Sequence, residues 1–293
     1  MNSCQKYFAV CALTLLTQSA FAATAPQLGA ASNFTVLSAA DNGGGAVTCT
    51  DSNISGDVGS SGQPASVVRT NCAISGAIVA PVSAQVVTDF DQAYAALAAQ
   101  ACTYTYSQAA FTNTTLSVAP GVICFPAAAT FTDTALTLVG NSNDVWLFKI
   151  GTEAPGALTG TGFSVLLNGA QACNVYWWVD AAVTMTTSAF QGTILAGAAI
   201  TATGLANPTT TYNGDALAKA AVTLTNFAMT GCQAGVSNPP APKQAPKQKC
   251  NQGVGNGPEN CDPGNSNQGN PFRSNDELGG VPGNPGRKGG NTK

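Results

Sequence analysis

Threonine side chains recur in three short segments in the second half of the chain, each reading apolar, Thr, apolar, Thr. The segments are VTMT from Val183, ITAT from Ile200 and VTLT from Val222. Successive side chains of a β-strand point to opposite faces, so each segment would turn two apolar side chains inward and two threonines outward. These threonines add uncharged hydroxyl and methyl groups that can hold water or meet another hydrated surface. The candidate binding residues are Thr184, Thr186, Thr201, Thr203, Thr223 and Thr225.

Groups that can perform acid–base or metal chemistry are few and dispersed. The sequence has no histidine, so a general base would have to be a perturbed carboxylate or lysine. The acidic residues of 23–237 stand singly, apart from Asp89 and Asp91, whose spacing directs them to different sides of a helix. Cys-x-x-Cys and Gly-x-Ser-x-Gly motifs are also missing from the sequence. We therefore expect no enzyme, no metal site and no cofactor.

The spacing of the threonine segments predicts the architecture that positions them. Their starts lie 17 and 22 residues apart. One strand per recurrence of about 20 residues is typical of a β-solenoid, in which each coil buries its apolar side by stacking on its neighbours. The threonines would then form ranks on one flat face. Thr159 and Thr161 in LTGTG would extend these ranks by one coil.

The two ends of the chain differ in composition from the middle. Lys6, an apolar run and the small residues before Ala23 predict a signal peptide over 1–22. No later apolar run is long enough to span a membrane, so we expect a secreted protein, extracellular or periplasmic. From residue 238 onward the sequence is rich in Pro, Gly and Asn and poor in apolar groups. The interpretation is a solenoid domain over 23–237 followed by a disordered tail over 238–293.

Charge and cysteine content limit the partners and the compartment. Residues 23–237 hold ten acidic and three basic side chains, which excludes the basic patch that nucleic acids require. We expect a monomer. The six cysteines of this domain favour disulfides in an exported chain. Order along the chain favours Cys49 with Cys72 and Cys102 with Cys124, whereas Cys173 is left open between a disulfide and a buried free thiol.

One helix is predicted within the domain, over about 83–101. Val87, Phe90, Tyr94, Leu97 and Ala101 fall on one face at helical spacing. Two strand segments, DVWLFKIG and NVYWWV, are apolar on both faces. This pattern is expected where a helix covers the outer side of a sheet.

Several segments, in order along the chain, resemble the microbial secreted ice-binding (antifreeze) proteins. They are LGAASNFTVLSA, SGDVGSS, SVAPGVICF, DVWLFKIG, LLNGAQACNVYWWV, GTILAG and NGDALAKAAVTLTN, and together they cover about residues 27–226. The resemblance implies a mainly β fold, namely a right-handed, discontinuous β-solenoid of triangular section with one long helix packed alongside. In such a fold the N-terminal coils join the C-terminal coils. It also implies ice as the partner, bound through one flat face, so that ice growth or recrystallisation is inhibited.

The sequence departs from this family in two places and leaves a second function open. The Thr-Gly-x-Thr repeat of many members becomes TTSA over 186–189 and TGLA over 203–206. The segment NPTTTY at 207–212 is expected to bulge near the threonine face. The alternative function is a non-catalytic surface or adhesive module that binds a polysaccharide or a protein. Outward aromatic residues would favour a glycan, and the candidates are Tyr104, Tyr106 and Tyr212.

Overall fold

The computed structural model describes residues 22–207 and 209–232. The predicted tail and nearly all of the predicted signal peptide lie outside the described residues. Parallel β-strands and one α-helix make up the described part, and successive coils place one strand on each of three sides. The section is therefore triangular, and the predicted β-solenoid is confirmed. The right-handed sense of the coil stays a prediction.

The strands are numbered β1 to β25 in chain order, and two sides of the triangle are each formed by a single sheet. The helix-side sheet consists, in spatial order, of β7 (Ile78–Val79), β4 (Asp57–Ser60), β1 (Phe34–Ser38), β23 (Ala216–Ala218), β20 (Thr193–Ala196), β17 (Val175–Val179), β14 (Trp146–Ile150), β11 (Gly121–Phe125) and β8 (Tyr104–Thr105). The threonine sheet consists of β5 (Val67–Thr70), β2 (Val47–Thr50), β24 (Val222–Thr225), β21 (Ile200–Thr203), β18 (Val183–Thr186), β15 (Leu158–Thr161), β12 (Ala129–Thr132) and β9 (Ala110–Thr112).

The third side is divided into two sheets. Five strands form the first, namely β19 (Phe190–Gln191), β22 (Thr210–Asn213), β25 (Phe227–Thr230), β3 (Asn53–Ser55) and β6 (Ala73–Ile74). Three form the second, namely β10 (Thr115–Val118), β13 (Ala135–Val139) and β16 (Ser164–Asn168). In the described part of the chain, four short 3-10 turns cover Gly29–Asn33, Asp41–Gly43, Pro64–Ser66 and Ala172–Asn174.

The solenoid is discontinuous along the chain, as expected. Strands β1, β2 and β3 pair with β23, β24 and β25, so the first coil stacks directly on the last. The chain then reaches β7 at one end of the helix-side sheet and resumes with β8 at the opposite end. Helix α1 (Ala84–Ala98) makes this connection along the outside of the coils.

Helix α1 covers the outer side of the helix-side sheet, which explains why those strands are apolar on both faces. Strands β14 and β17 are buried at all positions. Phe90 and Leu97 of the helix belong to one buried cluster with Leu147 and Trp178 of the sheet. The predicted apolar face of the helix is confirmed for Phe90 and Leu97, and Val87 and Tyr94 are partly buried.

The helix ends earlier than the sequence indicates, and Ala101 lies beyond it and is exposed. The reason is a cation at its C-terminus. Lys149 Nζ donates hydrogen bonds to Ala98 O (2.6 Å) and Gln100 O (2.7 Å). These bonds satisfy carbonyl groups that have no hydrogen-bond partner within the helix. Burial lowers the pKa of Lys149. The chain then enters a disulfide at Cys102 and leaves the helix axis.

Three disulfides are present among the described residues, and two of them tie neighbouring coils together. Cys49–Cys72 and Cys102–Cys124 agree with the pairing predicted from their order. The third bond joins Cys173 to Cys232, so the alternative of a free thiol at Cys173 is wrong. Cys173 lies in the short 3-10 turn immediately before β17, not within the strand, and its disulfide partner Cys232 is the last described residue. The disulfides suggest an extracellular protein.

Candidate functional site

The threonine sheet aligns its threonines into two parallel ranks. The register places the second residue of each strand beside the second residue of the next, and the fourth beside the fourth. The first rank, flanked by Val68 and Ala110, consists of Thr48, Thr223, Thr201, Thr184, Thr159 and Thr130. The second rank spans all eight strands without interruption and consists of Thr70, Thr50, Thr225, Thr203, Thr186, Thr161, Thr132 and Thr112. We call the two ranks together the threonine face.

The structure brings all six threonines predicted from the sequence onto this face. Four of them are exposed, namely Thr184, Thr186, Thr201 and Thr203. Thr223 and Thr225 of β24 are half-buried. Thr159 and Thr161 continue the two ranks on β15, in register with Thr184 and Thr186, as the LTGTG segment predicted.

Six further threonines of the face were missed by the sequence reasoning. The signal was available for four of them, because VTCT at Val47 and ATFT at Ala129 follow the same apolar, Thr, apolar, Thr pattern. Only the discontinuous stacking places VTCT beside VTLT, which lies near the other end of the domain. The two terminal strands break the pattern, since β5 reads VVRT and β9 reads AFT. The missed residues are Thr48, Thr50, Thr70, Thr112, Thr130 and Thr132.

The face is regular because buried side chains on the inner side of the sheet hold its strands in place. Neighbouring parallel strands lie about 4.8 Å apart, and alternate residues of one strand are separated by about 6.6 Å. The inward residues are buried, as with Val183 and Met185 on β18. On β9 and β12 they are Phe111 and Phe131, whose rings stack with centroids 5.2 Å apart. Threonine is branched at Cβ, so its χ1 is also restricted.

Small residues border the first rank. The residue before each strand is alanine on six consecutive strands, and the hydrogen-bond ladder runs through this border, since Ile200 N–H donates to Ala221 O (3.0 Å) and Val222 N–H donates to Ala46 O (2.9 Å). These alanines are exposed or half-buried. The border adds no charge to the face, and its members are Ala46, Ala221, Ala199, Ala182, Ala157 and Ala128.

A corner of left-handed backbone borders the second rank. The residue after the fourth strand position has positive φ on seven of the eight strands. Asn, Asp and Gly tolerate this conformation and occupy six of these positions. The seventh is Thr187 (φ 49°), which is branched at Cβ. Carboxylates occur here only beside β2 and β12. The seven residues are Asn71, Asp51, Asn226, Thr187, Gly162, Asp133 and Asn113.

The segment expected to bulge near the face is mostly regular. Thr210–Asn213 forms β22 on the third side, and Thr210 and Tyr212 point inward and are buried. The expectation was therefore wrong for these residues, because Thr210 Oγ1 accepts the Leu205 N–H (2.7 Å) and returns the chain to the sheet. Residues 205–207 and 209 are exposed and form a short turn at the corner.

Two of the three aromatic candidates for glycan stacking are turned inward. Tyr212 is buried, so its assignment as an outward residue was wrong, and its hydroxyl donates to Asp215 O (2.9 Å). Tyr106 is half-buried and stacks on Phe125, with centroids 5.3 Å apart. Tyr104 is exposed at the end of the solenoid.

Three acidic side chains make contacts within the fold. Asp89 accepts the Ala30 N–H (2.8 Å), and Asp91 forms an ion pair with Lys219 (2.7 Å). Asp215 is buried and accepts hydrogen bonds from Thr193 Oγ1 (3.1 Å) and the Cys232 N–H (2.9 Å). Burial raises the pKa of Asp215 to about 7.

Two further properties bear on the kind of site. Among residues 22–207 and 209–232, no group of three or more His, Cys, Asp or Glu side chains is arranged to hold a metal ion. The same part of the chain has no helix that is long and apolar enough to cross a membrane.

Comparisons with known proteins agree on one family. The family model described as ice-binding-like matches residues 39–230. A solved ice-binding protein from the Antarctic ascomycete Antarctomyces psychrotrophicus is 31% identical, with 73% of this chain and 100% of that chain covered and a TM-score of 0.58. One from an Antarctic bacterium of the Flavobacteriaceae is 34% identical, covering 74% and 50%, with a TM-score of 0.59. One from an Antarctic biological consortium is 27% identical, covering 72% and 93%, also with a TM-score of 0.59. The curated proteins contain no match.

Proposed function

The chain belongs to the ice-binding-like family, and from this premise we propose that it adsorbs to ice through the threonine face and inhibits ice growth or recrystallisation. The observation that carries the proposal is the register of the threonine sheet, which aligns the second rank over eight strands and the first over six. No other sheet of the described residues has threonine in two unbroken ranks.

The geometry supplies a template for ordered water. Hydroxyl groups repeat about every 4.8 Å along a rank and about 6.6 Å between ranks, which is the length scale of oxygen spacings in ice. Each hydroxyl can donate and accept a hydrogen bond, so it can anchor a water molecule. The γ-methyl groups between them leave the remaining waters to bond with one another. Since the side chains are held rigidly, little ordering entropy is lost when these waters join a lattice.

The borders of the face suit such a surface. The alanine border and the central part of the left-handed corner present no charged group beside β24, β21, β18 and β15. A charged side chain would hold its own hydration shell and disturb the water around it.

Adsorbed protein then pins the ice front, which must grow with curvature between the adsorbed molecules and so requires a lower temperature.

We propose that this action is non-catalytic and that the protein works as a secreted monomer. Adsorption requires no proton transfer and no covalent step, and Asp89, Asp91 and Asp215 are engaged in structural contacts. The three disulfides support an oxidising compartment, extracellular or periplasmic. Binding of a cell-surface polysaccharide has less support, because Tyr106 and Tyr212 are turned inward.

The test is adsorption of the fluorescently labelled mature protein to a growing ice hemisphere. Incorporation into the ice is expected, and uniform exclusion would contradict the proposal.

Thr203→Tyr and Thr223→Tyr are expected to lose most thermal hysteresis, because a ring replaces the water-holding groups on adjacent strands. These outward changes should alter unfolding free energy by only about 0.5 kcal/mol.

A matched control lies on the same coil. Thr211 of β22 is an exposed threonine on the third side, one strand after Thr203. Thr211→Tyr is expected to keep the full thermal hysteresis. Full thermal hysteresis in the Thr203 and Thr223 variants as well as in the Thr211 variant, all folded, would place the ice contact elsewhere and favour the adhesive function.

A further inference from the structure

Thr187 holds a backbone conformation that its side chain disfavours. Its φ of 49° lies in the left-handed region, where a residue branched at Cβ is a genuine outlier. Six other strands place Asn, Asp or Gly with positive φ at the corresponding corner. The conformation itself is imposed by the coil, because Thr187 N–H donates to Thr203 O (2.7 Å) in the same ladder that joins the other corners.

Packing does not explain the threonine at this position. The side chain is exposed, and its hydroxyl has no hydrogen-bond partner among the described residues. By contrast, the corner residue Asn71 bonds to Asp51 Oδ1 (2.7 Å). Gly162 and Gly204 occupy the same corner on the two adjacent strands, so the methyl and hydroxyl of Thr187 stand clear of neighbouring side chains.

The location of Thr187 points to a reason outside the fold. It follows Thr186 directly, on the strand β18 near the middle of the second rank. Thr184, Thr186 and Thr187 therefore offer the same chemistry from one coil. Strained backbone conformations cluster at functional sites. We infer that Thr187 is a further ice-contacting residue, which extends the threonine face around its corner; the inference rests on the proposed function.

The test separates stability from ice affinity. Thr187→Asn gives the corner a residue that tolerates positive φ, so the Tm is expected to rise by about 2 to 4 °C. The same variant removes the methyl and hydroxyl, so the concentration needed for a given thermal hysteresis is expected to rise about two- to tenfold, the effect of losing one hydrogen-bonding group. Thr187→Gly should lower ice affinity in the same way, and Thr187→Ser, which keeps the hydroxyl, should retain more of it.

Two controls make the outcomes distinct. Asn113→Gly changes the corner beside the terminal strand β9 and is expected to leave ice affinity unchanged. Thr203→Tyr reports on the face itself. If Thr187→Asn keeps wild-type ice affinity while Thr203→Tyr loses it, the inference is overturned and the proposed function stands. If Thr203→Tyr also keeps it, the proposed function fails. A Tm of Thr187→Asn no higher than that of the wild type would overturn the argument from strain.

Discussion

Thr50 and Thr225 are register partners on the adjacent strands β2 and β24, although one lies in the first coil of the chain and the other in the last. This pair marks the seam at which the N-terminal coils meet the C-terminal coils. Both ranks of the threonine face cross the seam. A continuous face therefore depends on docking between two parts of the chain that are far apart in sequence.

Two buried hydroxyl groups bridge this seam at different corners. Ser52 Oγ accepts the Phe227 N–H (3.0 Å) and donates to Thr50 O (2.7 Å). Ser38 Oγ donates to Ala220 O (2.7 Å), from the other side of the seam, and accepts the Ala46 N–H (3.0 Å). Each hydroxyl satisfies backbone groups that would otherwise be buried without a partner.

Removal of the Ser52 hydroxyl is expected to destabilise the seam. Ser52→Ala leaves the Phe227 N–H buried and unpaired, which costs about 1 to 3 kcal/mol. Urea unfolding followed by circular dichroism should show a lower midpoint at an unchanged slope. Ser55→Ala, at an exposed position of the neighbouring β3, is the control and should unfold like the wild type. Equal midpoints for both variants would mean that Ser52 does not hold the seam.

The elements recoverable from the sequence are those with a local pattern. The period of two in VTMT, ITAT and VTLT was enough to predict strands, an outward rank and one face. Helix α1 was predicted from its apolar spacing, but its end was not, because Lys149 reaches Ala98 from a strand some fifty residues later. The burial of Tyr212 follows from its place in β22, which the turn-like composition of NPTTTY concealed. The full length of the second rank depends on which coils stack, and that order is not a local property.

The disulfide between Cys173 and Cys232 fastens the last described residues to the solenoid. It closes a loop of 59 residues in sequence separation, and the other two close 23 and 22. Replacing Cys173 and Cys232 together by Ser is expected to lower the free energy of unfolding by about 2 to 4 kcal/mol. Mass mapping of unreduced, secreted material should find all three bonds. Free thiols at these six cysteines in native material would refute the pairing.

Stability is expected to fall as the pH rises from about 5 to 8, because of Asp215. Burial raises its pKa to about 7 in the folded protein, whereas the pKa of an unfolded aspartate is about 3.9. Between these values the folded state binds the proton and the unfolded state does not, so stability is greatest at the acid end and declines until the pH passes about 7. The chain has no histidine to obscure this window.

The measurement is chemical unfolding at a series of pH values, with Asp215→Asn as the matched variant. The amide keeps an acceptor for the Cys232 N–H but does not titrate, so its stability should be nearly constant from pH 5 to 8. The difference between the two slopes isolates the carboxyl group. A wild-type profile that is flat, or that rises with pH, would contradict a raised pKa at Asp215.

The reach of the threonine face is tested by residues outside the six found from sequence. Thr132 of β12 and Thr50 of β2 belong to the second rank on either side of the central strands. If ice contacts the whole rank, Thr132→Tyr and Thr50→Tyr should each lower thermal hysteresis. The loss should be smaller than for Thr203→Tyr, because a ring near one end lifts fewer neighbouring coils from the lattice.

Thr137→Tyr, on β13 of the same coil as Thr132, should keep full activity as the control. Full activity in both Thr132→Tyr and Thr50→Tyr would confine adsorption to the four central strands, where the borders of the face are free of charge.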